Sequence, residues 1–331
     1  VHGLDGRAQQ QLDLPELASV RGITGAEDGN EAFVGVGSFL FPATVHRYDA
    51  RTGRLSVFHR PSTPFDASPY VARLVRYNSK DRTLVPMFVV QRRDARRTGR
   101  LPVLLTGYGG FGVSMTPGFS ATAAAWLEMG GMLAYPCIRG GGEYGWPWQR
   151  AAMRTARQRS FDDFIAAAEF LVASGWTSPD RIAISGHSNG GLLVAATMLQ
   201  RPDLFRACIV DSGVLDMVRF PRFTIGANWI NEYGSPENPD EFRALFAYSP
   251  VHNVREGVQY PWTLILAGES DDRVVPAHGY KFAAALQGAG ARGAPVLLRI
   301  ERGAGHFGST TSKTVEEFAD RFTFLAEALG I

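Results

Sequence analysis

From about residue 66 onward, short apolar runs alternate with segments of helical periodicity, and this alternation restricts the fold more than any other feature. The apolar runs lie at 102–106, 132–138, 181–185, 207–211, 263–267 and 296–301, and the helical segments include 161–174, 191–200 and 278–288. Strands that alternate with helices form βαβ units around a mainly parallel sheet buried on both faces. In such α/β folds the chemistry lies at the carboxyl ends of the strands, so the residues that follow each strand are the candidates for function.

Residues 1–65 have a different pattern. Strand-like runs at 31–36, 44–48 and 55–59 are separated by the turn sequences AEDGN (26–30) and DARTG (49–53). This is about enough β structure for one four-stranded sheet. We therefore expect two units, a small β segment over 1–65 and a large α/β domain over 66–331.

The composition excludes several classes of protein. The net charge is +2, and the basic residues, mostly arginine, are scattered along the chain, which argues against a nucleic-acid groove. No stretch reaches the roughly 18 consecutive apolar residues that cross a bilayer. Cys137 and Cys208 lie in apolar runs, where cysteine behaves as a small buried hydrophobe rather than as a redox or catalytic group.

A Gly-x-Ser-x-Gly turn follows the run 181–185. The sequence GHSNGG (186–191) is succeeded by a helical segment, which is the strand–turn–helix setting of the nucleophile in α/β-hydrolases. The glycines allow a strained turn that exposes the serine hydroxyl, and the helix N-terminus favours a developing oxyanion. An ordinary glycine-rich turn is the alternative interpretation, but the context favours Ser188 as a nucleophile.

An acid and a base follow the next strands in the order of an α/β-hydrolase triad, which is serine, carboxylate, histidine. GESDDR (268–273) comes after 263–267, and GAGH (303–306) comes after 296–301. A serine hydroxyl needs an imidazole to take its proton, and the imidazole needs a carboxylate to fix its tautomer. The residue pattern predicts His306 as the base and leaves Asp271 and Asp272 as equal candidates for the acid.

Two other histidines compete with His306 for the role of base. His278 begins a helical segment, where a surface or helix-packing role is expected. His187 lies inside the elbow, where its side chain is expected to point away from the neighbouring hydroxyl.

Two glycine-rich segments match G-x-G-x-x-G: GYGGFG (107–112) and GGGEYG (140–145). We expect neither to lead straight into a helix, and neither has a suitable acid about 20 residues further on, so a dinucleotide site is not predicted. In a hydrolase, the loop after 102–106 supplies the second oxyanion donor. That is the better use of the glycines around Tyr108.

Several sequence blocks in this order resemble the prolyl oligopeptidase family of serine peptidases over essentially the whole chain. The matching blocks are GYGGF (107–111), IRGGGEYG (138–145), SNGGLL (188–193), RPDLF (201–205), YSP (248–250), DDRVVP (271–276) and AGH (304–306). The resemblance implies that Asp271 is the acid, that the backbone N–H of Asn189 and the hydroxyl of Tyr108 hold the oxyanion, and that Arg273 holds a peptide carbonyl.

The resemblance also implies a pocket for a proline side chain. Its lining would be apolar and aromatic, which suits a pyrrolidine ring, and would consist of Phe111, Val214, Trp229, Tyr233 and Val274. The aromatics argue against the carboxylate-lined pocket of the related basic-residue peptidases. The alternative is that Trp229 and Tyr233 are ordinary core residues.

The implied activity is cleavage of short peptides on the carboxyl side of proline through an acyl-enzyme, with no metal and no organic cofactor. An esterase or an acyl transferase such as a peptide macrocyclase would use the same triad. A non-catalytic fragment is the alternative from a different class.

Two departures from the family pattern concern the rim of the site. His187 stands where close members usually carry glycine, and Phe307 replaces a usual small residue beside the base. The loop at 307–311 is also expected to be about one residue shorter.

The family carries a seven-bladed β-propeller, and residues 1–65 resemble its last strands only. We therefore expect the chain to be the C-terminal part of a longer or cleaved polypeptide, with the rest of the propeller as its partner. The cytoplasm is the expected compartment, with the periplasm left open because any signal would lie upstream of Val1.

Overall fold

The computed structural model describes residues 1–290, 294–308 and 310–331, and the strands of these residues form two sheets. The smaller sheet is antiparallel and consists of β1 (Ala18–Gly25), β2 (Glu31–Ser38), β3 (Thr44–Asp49) and β4 (Arg54–His59), paired in that order. This confirms the expected four-stranded sheet within residues 1–65. Strand β1 is the one that no strand-like run in the sequence predicts.

The larger sheet has eight strands in the described residues. They are β5 (Tyr70–Asn78), β6 (Leu84–Arg92), β7 (Val103–Thr106), β8 (Met132–Pro136), β9 (Ile182–His187), β10 (Ala207–Asp211), β11 (Trp262–Gly268) and β12 (Val296–Glu301). The spatial order is β12-β11-β10-β9-β7-β8-β6-β5. The antiparallel pairs in the described part of this sheet are β5 with β6 and β6 with β8. The other neighbouring strands are parallel, so the prediction of a mainly parallel sheet is confirmed. Strand β9 lies near the centre, and β12 lies at the edge.

Helices cover both faces of the larger sheet. They are α1 (Ala121–Glu128), α2 (Trp146–Arg150), α3 (Gln158–Ala173), α4 (Asn189–Gln200), α5 (Ile230–Tyr233), α6 (Pro239–Tyr248), α7 (Ala277–Gly288) and α8 (Thr311–Leu329). Strand β10 illustrates the two layers: Ala207 and Ile209 pack with α1 and α8, whereas Cys208 and Val210 pack with α3, α4 and α7. Alternate residues of one strand therefore belong to different cores, as a sheet buried on both faces requires.

The four-stranded sheet packs against the α/β domain through aromatic contacts. The ring of Phe39 lies 5.3 Å from Phe88 and 5.2 Å from Tyr135 between centroids. The guanidinium of Arg21 donates a hydrogen bond to the carbonyl of Pro117. Within the described residues, the helices are all too short or too polar to cross a lipid bilayer.

Candidate active site

Ser188 lies in a sharp turn between β9 and α4. Its backbone has φ 59° and ψ −118°, a conformation that residues with side chains rarely adopt. Two glycines make the turn sterically possible: a Cβ at Gly186 would lie 2.1 Å from the carbonyl oxygen of Gly190, and a Cβ at Gly190 would lie 2.6 Å from that of Gly107. The structure therefore has the predicted strand–turn–helix setting, with Ser188 at the N-terminus of α4.

The imidazole of His306 and the carboxylate of Asp271 form a hydrogen bond of 2.7 Å between Nδ1 and Oδ2, and both side chains are buried. The other carboxylate oxygen, Oδ1, accepts hydrogen bonds from the backbone N–H groups of Arg273 and Val274, each at 2.9 Å. Because Nδ1 of His306 is bonded to this fixed carboxylate, Nε2 is left for proton transfer. Asp272 is exposed, so Asp271 is the member of the pair that contacts His306.

The loops that carry this pair approach each other closely. The N–H of Ser270 donates to the carbonyl of Ala304 at 3.0 Å, and a Cβ at Gly268 would lie 2.5 Å from the same carbonyl oxygen. This contact between the loops after β11 and β12 places the carboxylate under the imidazole.

The contact between the elbow and His306 is made by His187, the residue next to Ser188. Across the described ranges 1–290, 294–308 and 310–331, no hydrogen bond joins the hydroxyl of Ser188 to the imidazole of His306. The ring of His187, the residue before the nucleophile, lies 4.7 Å from the ring of His306 between centroids. Two of the three predicted catalytic side chains are thus in direct contact, and the residue that precedes the third packs against one of them.

The two candidate oxyanion donors are adjacent. The side-chain amide of Asn189 donates to the carbonyl of Tyr108 at 2.5 Å, so the loop after β7 is tied to the elbow. As the first residue of α4, Asn189 has a backbone N–H with no acceptor inside the helix. Burial raises the pKa of Tyr108 above its ordinary value, and the nearby hydroxyl of Ser188 opposes part of that rise. Tyr108 is therefore a protonated donor close to the nucleophile.

A buried ion pair that the sequence did not predict supports this arrangement. The guanidinium of Arg157 lies 3.2 Å from the carboxylate of Glu232, and neither side chain is more than 4% exposed. Glu232 also accepts from the N–H of Phe111 at 2.9 Å, and Arg157 donates to the side-chain oxygen of Asn189 at 2.5 Å. The pair therefore fixes both the Tyr108 loop and the elbow. The only hint in the sequence is a charged residue at 232 among aromatic neighbours.

Three of the six predicted substrate-binding residues form one aromatic cluster: the ring of Tyr233 lies 5.4 Å from Phe111 and 6.5 Å from Trp229. Phe111 and Trp229 are half-buried, and Val214, Tyr233 and Val274 are buried in the same hydrophobic core.

Tyr233 is a core residue by burial, since only 1% of it is exposed, and its hydroxyl donates to the side-chain oxygen of Asn189 at 2.9 Å. Arg273, the sixth residue, is exposed. Its guanidinium lies 5.1 Å above the ring of Phe307.

The competing histidine His278 has a structural role. It is 1% exposed, and its Nδ1 accepts hydrogen bonds from the N–H groups of Leu215 and Asp216 at 3.2 and 3.1 Å. Burial lowers the pKa of His278 to about 4, so the ring is neutral near pH 7. Of the two roles expected for it, helix packing is confirmed and a surface position is wrong.

The two glycine-rich loops pack against each other. A Cβ at Gly140 would lie 2.3 Å from the carbonyl oxygen of Gly109, and a Cβ at Gly109 would lie 2.4 Å from the side chain of Ile138. These glycines therefore serve close backbone approach. One expectation is wrong: the segment 140–145 does lead straight into a helix, because α2 begins at Trp146. This helix has only five residues.

Comparison with known proteins gives a consistent result. The family model described as "Prolyl oligopeptidase family" matches residues 117–331. The prolyl endopeptidase of Elizabethkingia miricola is 42% identical over 328 residues, which cover 98% of this chain and 46% of that protein. The chain therefore spans about half the length of the curated relatives that it matches.

Solved structures are similar over the same extent. One, from a study of two prolyl endopeptidases, has a TM-score of 0.96 and 43% identity, and the match covers 99% of this chain and 49% of that one. Another is prolyl oligopeptidase B from Galerina marginata, bound to a 35-residue hydrolysis and macrocyclisation substrate. It has a TM-score of 0.93 and 37% identity, covering 99% and 47% of the two chains.

Proposed function

This chain belongs to the prolyl oligopeptidase family, and from that premise we propose that it carries the catalytic machinery of a serine peptidase that cleaves short peptides after proline. The observation that carries the proposal is the hydrogen bond between His306 and the buried carboxylate of Asp271, at the edge of the sheet where the strained turn holds Ser188.

The reaction begins when the oxygen of Ser188 attacks the carbonyl carbon of the proline residue. His306 takes the hydroxyl proton at Nε2, and Asp271 stabilises the imidazolium that forms. The carbon–nitrogen bond then breaks, and His306 returns the proton to the leaving amine. Water attacks the resulting acyl-enzyme by the same route, with His306 again as base, and releases the peptide acid and the free serine.

Proton transfer requires the imidazole of His306 to reach the hydroxyl of Ser188. The loop that carries His306 contains three glycines, and two of them, Gly303 and Gly308, have φ values of 67° and 94°. Such a backbone can adjust at low cost. We propose that this loop moves by a small amount when substrate binds, which completes the triad. Contacts in free enzymes are often longer than in the reacting complex.

The oxyanion of the tetrahedral intermediate is assigned to Tyr108 and the backbone N–H of Asn189. Both groups lie beside Ser188, and the amide of Asn189 holds the Tyr108 loop in place. Donors that are positioned before the reaction stabilise developing charge without reorganisation.

Replacing Tyr108 with phenylalanine removes one of these donors. We expect a loss of about 2–4 kcal/mol of transition-state stabilisation, or roughly 10²–10³-fold in kcat, with little change in KM. Because burial raises the pKa of Tyr108, the wild-type hydroxyl keeps its proton into alkaline solution, so the ratio of the two rates should stay constant over neutral and mildly alkaline pH. A variant with the wild-type rate would remove Tyr108 from the oxyanion site.

The specificity for proline is assigned to the aromatic cluster beside the oxyanion loop. Phe111 and Trp229 are half-buried and can contact a ligand, whereas Tyr233, Val214 and Val274 are buried. A pyrrolidine ring is flat and apolar, so it gains both area burial and ring contact against an indole. Arg273, which is exposed beside this cluster, is proposed to hold a carbonyl of the bound peptide.

The Trp229→Ala variant tests this pocket directly. For a short chromogenic peptide ending in Gly-Pro, kcat/KM should fall roughly 30-fold, which corresponds to a loss of about 2 kcal/mol of transition-state stabilisation. For the matched peptide ending in Gly-Ala the fall should be several-fold smaller, because alanine has no ring to stack. An equal loss for both peptides would mean that Trp229 supports the fold rather than the choice of proline.

Residues 1–65 are proposed to be the last part of a β-propeller with its linker, and residues 66–331 the catalytic domain. A four-stranded antiparallel sheet is the unit from which propellers are built, and β1–β4 form such a sheet apart from the eight-stranded one. The remaining blades would then be the partner of this chain. Mass spectrometry of the native protein should find a polypeptide heavier than 36.1 kDa, the mass of this chain. A native mass equal to 36.1 kDa would contradict the proposal.

Transfer of the acyl group to a peptide amine is a second candidate function. A similar protein from Galerina marginata has been solved with a substrate named for hydrolysis and macrocyclisation, and the same triad would serve both outcomes. Incubation with a peptide of about 25–35 residues that contains an internal proline, followed by mass spectrometry, distinguishes them: a cyclic product weighs 18 Da less than the hydrolysed one.

A further inference from the structure

Both departures from the family pattern contact the proposed base. The ring of His187 lies 4.7 Å from the ring of His306 at an angle of 37°, and the ring of Phe307 lies 4.7 Å from it at 78°. The rings of His187 and Phe307 are themselves 6.3 Å apart. The three rings therefore form one aromatic cluster, in which His187 and Phe307 contact the imidazole of His306 from two adjacent sides.

His187 is anchored on the side away from His306. Its Nδ1 lies 3.2 Å from Oδ2 of Asp211, and the same oxygen accepts a hydrogen bond from Arg321 of α8. The carbonyl of Asp211 also accepts the N–H of Ser188 at 2.8 Å. One residue at the end of β10 thus fixes both the ring of His187 and the backbone of the nucleophile.

The charge on His187 strengthens this anchor. Burial lowers the pKa of His187, but the hydrogen bond and the charge of Asp211 raise it by more, so the net pKa lies above the ordinary value. The charges of Arg321 and Asp271 act in opposite directions and are smaller. The raised pKa favours the protonated ring, which is ion-paired to Asp211.

The loop that carries His306 has open space beside it. A cavity of about 360 Å³ is lined by His306, Phe307 and His187, together with Arg299 and Glu317. The rings of His187 and Phe307 are among the contacts that limit where the buried imidazole of His306 can turn, together with its hydrogen bond to Asp271.

We propose that His187 and Phe307 form a ring clamp that positions the imidazole of His306 for proton transfer from Ser188. The proposal rests on the proposed function, in which His306 is the base. The inner ring, His187, is fixed to the sheet through Asp211. The outer ring, Phe307, is 77% exposed and is covered on one side by the guanidinium of Arg273 at 5.1 Å. Both residues are proposed to act through His306, so both are positioning residues.

The test measures the rate at which a fluorophosphonate probe labels Ser188 in four variants: His187→Gly, His187→Phe, Phe307→Ala and the double variant His187→Gly/Phe307→Ala. Labelling needs the base but does not need the proline pocket. His59→Gly and Phe58→Ala, on the exposed strand β4, are matched controls that remove the same ring types elsewhere. Melting temperatures are recorded for every protein.

The clamp predicts a 10- to 100-fold fall in labelling rate for each single removal, since a misplacement of about 1 Å costs roughly 10²-fold. The double variant should be no slower than the slower single variant, because the loss of either ring already releases the imidazole. His187→Phe, which keeps a ring, should recover most of the rate. For His187→Gly, KM for the Gly-Pro peptide should stay within about twofold of wild type while kcat falls.

Three results would overturn the clamp. One is an unchanged labelling rate in His187→Gly. Another is a double variant whose loss is the product of the two single losses, which means independent effects. The third is a failure of His187→Phe to recover the rate at an unchanged melting temperature.

The outcome for the wild-type protein separates this inference from the proposed function. If the wild type is labelled but does not cleave after proline, the specificity proposal fails and the clamp is still measured by labelling. If the wild type is not labelled at all, His306 is not a base for Ser188, and both proposals fail together.

Discussion

Replacing Ser188 with alanine is expected to lower kcat for the Gly-Pro peptide by about 10⁶-fold, which is the size of effect seen when the nucleophile of a serine peptidase is removed. No acyl-enzyme can form without the hydroxyl. The residual rate would come from the oxyanion donors and substrate binding alone. Alanine at φ 59° is as strained as serine, so the melting temperature and the affinity for the uncleaved peptide should stay close to those of the wild type.

The measurement combines steady-state turnover with labelling by the fluorophosphonate probe. In the wild type a single adduct is expected, and peptide mapping should place it on Ser188. The Ser188→Ala variant should give no adduct. Turnover within tenfold of the wild type would show that another nucleophile performs the reaction. A wild-type protein that resists labelling would instead favour the non-catalytic alternative.

Replacing Asp271 with asparagine is expected to lower kcat by about 10⁴-fold, although the two side chains have the same shape. In the structure, Oδ1 accepts hydrogen bonds from the N–H groups of Arg273 and Val274. An asparagine would keep its carbonyl oxygen there and turn its NH₂ towards His306. Nδ1 would then have to accept a hydrogen bond, the proton would move to Nε2, and Nε2 could no longer take a proton from Ser188.

The neighbouring aspartate provides the control for this experiment. Asp272 is exposed, has the same side chain and is one residue away, so Asp272→Asn should retain kcat within about twofold. A large loss in Asp272→Asn together with a small loss in Asp271→Asn would reverse the assignment. A loss of similar size in both would point to a change in the loop as a whole, which the melting temperatures would reveal.

The fold was predictable where a signal is local. The run 207–211 coincides with β10, because a strand buried on both faces is largely apolar. The run 296–301 coincides with β12, although this edge strand is only partly buried. The position of Ser188 was predictable for a similar reason, since glycines at fixed offsets are needed for close backbone approach. The antiparallel strands at the other edge of this sheet, over 70–92, gave no clear run, and neither did β1 of the smaller sheet.

The site was less predictable where residues far apart in sequence meet. The pattern of residues could not separate Asp271 from Asp272, because that difference is one of burial and of hydrogen bonds to the following backbone. The ion pair of Arg157 with Glu232 joins residues 75 positions apart, and neither lies in a periodic or motif context. The burial of Tyr233 was likewise undetermined, since an aromatic residue fits a pocket wall and a core equally well.

The positions of β9 and β12 in the sheet separate two requirements of the active site. Strand β9, which carries the nucleophile, has a hydrogen-bonded neighbour on each side, whereas β12, which carries the base, lies at the rim. In the proposed mechanism, the atom that forms the covalent bond thus follows a strand that is hydrogen-bonded on both sides, and the group that shuttles the proton follows one that is hydrogen-bonded on a single side. Substitutions at the rim could therefore alter the proposed proton transfer and leave the centre of the sheet unchanged.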